Sequence, residues 1–69
     1  MRWEDQVGAN VRRLRKAAGL SQEALADRAG MSMRYLAGLE RGEENPTVTY
    51  LVKLANALDV SPAAFFEQA

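Results

Sequence analysis

The sequence predicts a single all-α domain of five short helices, and three observations carry that reading. Apolar residues recur at three- and four-residue steps along most of the chain, the spacing that gathers them on one face of a helix. Serine, threonine, glycine and proline stand where these stripes begin and end, as helix caps and stops require. No stretch of useful length alternates apolar and polar residues with a period of two, and no repeat or low-complexity segment breaks the pattern. A chain of 69 residues makes one domain. It buries only about 60–65% of the surface its unfolded form exposes, so its core is small and a partner subunit would support it.

Trp3, Val7, Val11, Leu14 and Ala18 form the stripe of a first helix over about 3–18, stopped by Gly19 and lacking a clear N-terminal signal. Gly8 inside it costs about 1 kcal/mol relative to alanine, a cost that the close approach of another helix would explain. Arg12, Arg13 and Lys16 occupy the opposite face. Ser21 caps a second helix, about 22–29, which buries Leu25, Ala26 and Ala29 and opens with Glu23, whose charge suits the positive end of the helix dipole. Gly30 supplies the left-handed residue that ends it, and Ser32 caps a third helix, about 33–41, which buries Leu36 and Leu39 and runs to Gly42. Tyr35 falls either at the core edge or on the surface. Two short helices joined by so tight a turn have the grammar of a helix-turn-helix. Pro46 lacks an N–H donor and steers Asn45 away from the helical region, so 42–46 is a linker. Thr47 caps a fourth helix, about 48–58, with Val48, Leu51, Leu54, Ala55 and Leu58 as its core stripe. Ser61, with Pro62 at the first helical position, opens a last helix over about 62–67.

The residue inventory leaves little for catalysis. With no cysteine and no histidine, disulfides, thiolate metal sites and zinc centres are not expected. A nucleophile would have to be Ser21, Ser32 or Ser61, yet each stands where a helix needs its cap and none has an evident base beside it. Glu43 and Glu44 are adjacent carboxylates in an open linker, without the apolar pocket that would separate their acidities for acid–base work. No glycine-rich phosphate loop is present. No enzymatic activity, cofactor, metal or small-molecule ligand is therefore expected. The charged start Met1-Arg2-Trp3-Glu4-Asp5, the lack of any apolar run of about 18 residues and the lack of a signal-peptide pattern point to a cytoplasmic protein with no membrane partner.

Net charge is zero, but it is unevenly spread. Residues 1–41 carry eight basic against five acidic side chains, and residues 42–69 carry one against four. A basic front and an acidic back suit a protein that meets a polyanion with one face.

Ser21-Gln22, Leu25-Ala26, Gly30, Ser32, Leu36, Leu39-Glu40, Gly42, Pro46, Leu51, Leu54-Ala55, Leu58 and Val60 together resemble the lambda-repressor/Cro-like helix-turn-helix regulators, the Xre family. The likeness covers residues 7–66, and Leu36 to Pro46 is especially similar to the small controller proteins of restriction-modification systems. The resemblance implies a five-helix lambda-repressor-like domain that binds double-stranded DNA and regulates transcription. Gln22 matches a glutamine that bonds a backbone phosphate, where the helix start aims its amides at the same oxygen. Ser32, Met33 and Arg34 match the start of the recognition helix, which enters the major groove. Arg34 is best suited to direct readout, because a guanidinium grips guanine O6 and N7 with two bonds; the other reading is a phosphate contact or a solvated arginine. Met33 either meets a thymine methyl or shields the interface. Ala37 and Gly38 offer no hydrogen bond, so DNA shape is expected to supply part of the specificity. Arg15 and Glu40 match an architectural ion pair and are not counted as DNA ligands. Arg12, Arg13, Lys16, Arg28 and Arg41 remain as phosphate contacts.

One recognition helix reads only about 3–5 base pairs, so the resemblance implies a homodimer on half-sites about 34 Å apart in a (pseudo)palindromic operator. Phe65 and Phe66 point about 100° apart on a helix, so Phe65 is expected in the core and Phe66, with Val52, against a twofold mate. Both rings within one core is the alternative. The zero net charge also fits a second functional class, an antitoxin-like or adaptor module that binds protein through its acidic half with DNA contact secondary; a fragment of a larger regulator is a third reading.

Overall fold

A computed structural model describes residues 2–68, and every described helix packs around one small core. Four α-helices, α1 (Trp3–Ala17), α2 (Gln22–Ala29), α3 (Met33–Glu40) and α4 (Val48–Leu58), are followed by a 3-10 helix over Pro62–Phe66. There is no strand among the described residues. Phe65, Leu25, Leu36, Leu39, Leu54 and Val11 are the largest fully buried side chains, so every helical element contributes at least one residue to the centre. No helix among the described residues is long and apolar enough to cross a membrane.

The helix starts follow from their caps. The hydroxyls of Ser21, Ser32 and Thr47 accept hydrogen bonds from the amides of Ala24, Tyr35 and Tyr50 at 3.0, 3.0 and 3.2 Å, each satisfying a donor the helix itself leaves unpaired. Between α2 and α3, Gly30 adopts φ 72° and ψ 37°, the left-handed conformation in which it carries no Cβ penalty. The amides of Gly30 and Met31 then turn back to the carbonyls of Asp27 and Ala26 at 3.3 and 3.0 Å. The N-terminus of α1 has no side-chain cap; Arg2 instead reaches across to the Gly42 carbonyl at 3.0 Å.

Three expectations are corrected. The fifth helix is a 3-10 helix of five residues that ends at Phe66, not an α-helix to 67. Its late carbonyls are taken by two amides of α1 that the sequence did not single out. Gln6 Nε2 donates to the carbonyls of Phe66 and Glu67 at 3.1 and 2.9 Å, and Asn10 Nδ2 to those of Phe65 and Glu67 at 2.8 and 2.7 Å. With these acceptors satisfied sideways, Glu67 turns to extended backbone at φ −69° and ψ 140°. Helices α1 and α3 each end one residue earlier than expected, at Ala17 and Glu40. Trp3 and Val48, counted in core stripes, are 60% and 76% exposed, because each is the first residue of its helix and overhangs the packed centre.

Gly8 is explained by a contact. A Cβ at this position would run into the carbonyl oxygens of Leu39 and Glu40, so α1 and the end of α3 meet backbone to backbone. Gly8→Ala should therefore destabilise the domain by about 1–3 kcal/mol through overpacking, although alanine is the better helix former by about 1 kcal/mol. Urea unfolding checks the sign; a more stable variant would mean that α1 and α3 are not this close.

Candidate nucleic-acid interface

The close approach at Gly8 brings the end of α3 against α1 and sets up the most connected polar group of the molecule. Arg15 Nε donates to Glu40 Oε2 at 2.7 Å and Nη2 to Oε1 at 3.1 Å, a two-pronged pair, while Nη1 donates to the Leu20 carbonyl at 2.8 Å. The two side chains are only 10% and 3% exposed. Hydrogen bonding to Glu40, reinforced by its charge and opposed by burial, raises the Arg15 pKa above its ordinary value. Gln22, the first residue of α2, donates from Nε2 to Glu40 Oε1 at 3.0 Å. Glu40 thus ties together the end of α3, the last turn of α1 and the start of α2.

Beside this brace, α3 exposes Met33 and Arg34 in its first turn, next to the exposed cap Ser32. Arg34 has neither ion-pair nor hydrogen-bond partner among the described residues, so its guanidinium is open to a ligand. Leu36 and Leu39, on the other side of α3, are buried and fix which face looks outward. The carboxamide of Gln22, held by Glu40, retains a second N–H and an oxygen at the positive start of α2, where free amides favour a phosphate.

The basic residues do not all gather at this face. Arg12 and Lys16 are exposed on α1, one turn apart. Arg13 turns the other way, toward Asn10 Oδ1 at 3.3 Å and Glu67 at 3.8 Å, beside the C-terminal 3-10 helix. Arg28 stands at the far end of α2 from Gln22, lining with Lys53 and Asn56 a shallow groove against α4. Arg41, just after α3, forms two 3.0 Å bonds to Glu43. Both are exposed, and such a pair exchanges readily for a phosphate. Tyr35 is half-buried against Tyr50, with ring centroids 5.1 Å apart. Among the described residues no cluster of acidic or other ligating side chains is arranged to hold a metal.

Two short helices joined by a tight turn through left-handed Gly30, the second one exposing Arg34 from its first turn, have the form of a helix-turn-helix. A sequence model of the helix-turn-helix family matches residues 11–65. The chain belongs to that family, whose Xre-like members are transcriptional regulators and not enzymes. It is 54% identical over 55 residues to an uncharacterised HTH-type transcriptional regulator, y4dJ, of Sinorhizobium fredii, covering 80% of this chain and 71% of that protein. Over 55 residues it is 44% identical to the control protein C.SmaI of Serratia marcescens, covering 80% of this chain and 66% of that one. It spans only 50% of the Bacillus subtilis regulator SinR, to which it is 38% identical. The crystal structure of the restriction-modification controller protein C.AhdI from Aeromonas hydrophila superposes with a TM-score of 0.89 at 43% identity, covering 91% of this chain and 96% of that one.

Removing one side of a buried ion pair strands the other charge. Glu40→Ala should cost about 3–5 kcal/mol of stability in urea unfolding, more than any substitution of the exposed Arg41. A cost near that of an ordinary surface residue would show that the pair is solvated in solution.

Proposed function

We propose that this regulator acts as a homodimer on a (pseudo)palindromic operator, in the manner of a restriction-modification controller. The observation that supports this best is the match with the restriction-modification controller protein C.AhdI over 91% of this chain and 96% of that one. In this reading Ser32, Met33 and Arg34 face base edges in the major groove, and Gln22 holds a phosphate. Arg12 and Lys16 add phosphate contacts from α1, and Arg41 does so once it exchanges Glu43. Arg13 and Arg28 point to other parts of the surface and are left out of this interface.

The dimer surface is apolar. Val48, Val52 and Phe66 are 76%, 39% and 44% exposed, and the Trp3 ring meets Phe66 edge-on with centroids 5.9 Å apart. Val48 and Val52 lie one turn apart on α4, and Leu51 beside them shares a shallow cavity with Trp3 and Phe66. So much large apolar surface on so small a domain supports this face as the one that meets the mate. Phe65, by contrast, is fully buried.

Purified protein should bind duplex from its own upstream region far more tightly than random duplex at moderate salt, with affinity falling steeply as salt rises. Equal affinity for both would contradict the reading. Arg34→Ala should cost about 1–3 kcal/mol and relax preference at one base position, whereas Gln22→Ala should weaken all sequences alike. Phe66→Asp should sediment as a monomer at concentrations where the parent is a dimer and should lose operator binding. A dimeric Phe66→Asp protein would move the interface elsewhere.

A further inference from the structure

Gly38 lies one turn beyond Arg34 on the same side of α3, where a longer side chain would extend along the DNA-facing surface. The position is not empty space. A Cβ built on Gly38 would stand 3.3 Å from Glu44 Oε2 and 3.4 Å from Glu44 Cγ, so the side chain of Glu44 lies in the volume that residue 38 leaves vacant. Gly38 is buried, covered by this side chain and by the linker backbone, whose Glu43 amide donates to the Gly38 carbonyl at 2.9 Å.

Glu44 has no ion-pair or hydrogen-bond partner among the described residues. The cation nearest to it in the linker, Arg41, is engaged by Glu43. On its other side stands Tyr35, whose pKa is raised first by burial and then by the negative charge of Glu44. An unpaired carboxylate laid along a helix that must approach a polyanion is unfavourable unless the DNA offers it a donor. In the major groove the available donors are the exocyclic amino groups of cytosine and adenine. Adenine carries the N7 acceptor beside its amino group, which would confront the second carboxylate oxygen; cytosine has only a C–H there.

We propose that Glu44 is a base-reading residue: its carboxylate takes the place that Gly38 vacates on α3 and accepts a hydrogen bond from cytosine N4, beside the base met by Arg34. The inference rests on the reading of α3 as the helix that enters the groove. A donor fork and an acceptor then stand next to each other along one helix face. The acceptor also repels sites that lack the matching amino group, so it sharpens specificity by penalising wrong sequences as well as by bonding the right one.

Selection from a pool of random duplexes by the parent, Glu44→Ala and Glu44→Gln proteins tests this. The parent should select a motif with cytosine adjacent to the position that Arg34→Ala relaxes. Glu44→Ala should lose preference at that cytosine alone, by roughly tenfold, while binding random duplex more tightly. Glu44→Gln should transfer the preference to adenine, because a carboxamide bonds both N6 and N7. The parent motif retained by Glu44→Ala at every position, or weakened evenly at all of them, overturns the proposal. A parent protein that selects no motif would instead overturn the reading of α3 itself. Unchanged melting temperatures of the two variants confirm that base preference, not folding, is being compared.

Discussion

The carboxylate of Glu40 is the point on which the rest of the molecule turns. It is buried, it closes α3, and it accepts three hydrogen bonds: two from Arg15 on α1 and one from Gln22 at the start of α2. A buried ion pair contributes little net stability once the cost of desolvating both charges is counted. What this one supplies is position. It sets α3 against α1 at the glycine contact of Gly8, and it fixes how far the outward face of α3 stands from the carboxamide of Gln22. In the proposed reading those two features meet a duplex together, one in the groove and one on the backbone.

Most of the architecture was legible because it depends on local chemistry. Ser21, Ser32 and Thr47 cap helices because hydroxyls at those positions reach amides three residues on, and Gly30 turns the chain because only a residue tolerant of positive φ does so cheaply. The C-terminal segment departs from its local pattern for the opposite reason. Whether Ser61-Pro62 opens an α-helix or a 3-10 helix is settled by Gln6 and Asn10, more than fifty residues away in sequence, and no local pattern announces that these two amides will cap its carbonyls. Trp3 and Val48 likewise fit their stripes by spacing, but spacing does not say where the core stops and a helix end protrudes.

The candidate site divides the same way. Met33 and Arg34 could be named from sequence through the family resemblance, which matches them to the start of α3, and the structure leaves both exposed there. What depends on a loop's path could not be read that way. Glu44 reads from sequence as a solvated linker acid, and its place over Gly38 emerges only when the chain between α3 and α4 is traced. The engagement of Arg41 by Glu43 is equally invisible to charge counting, as is the turning of Arg13 toward the C-terminus. Eight basic residues in the first 41 suggest a broad cationic face, yet the structure divides them among the brace, the outward face and unrelated surfaces.

The claim that Glu40 joins the fold to the DNA-facing surface is tested most directly by a double-mutant cycle between Glu40 and Gln22, read in DNA affinity and not in stability. Affinity of the parent, Gln22→Ala, Glu40→Gln and the double variant for one duplex would be measured under conditions where all four are folded. Coupling of about 1 kcal/mol is predicted, because in the proposed reading Gln22 reaches a phosphate from the position in which Glu40 holds it. Additive losses would contradict this account and would mean that Gln22 finds the backbone without the brace.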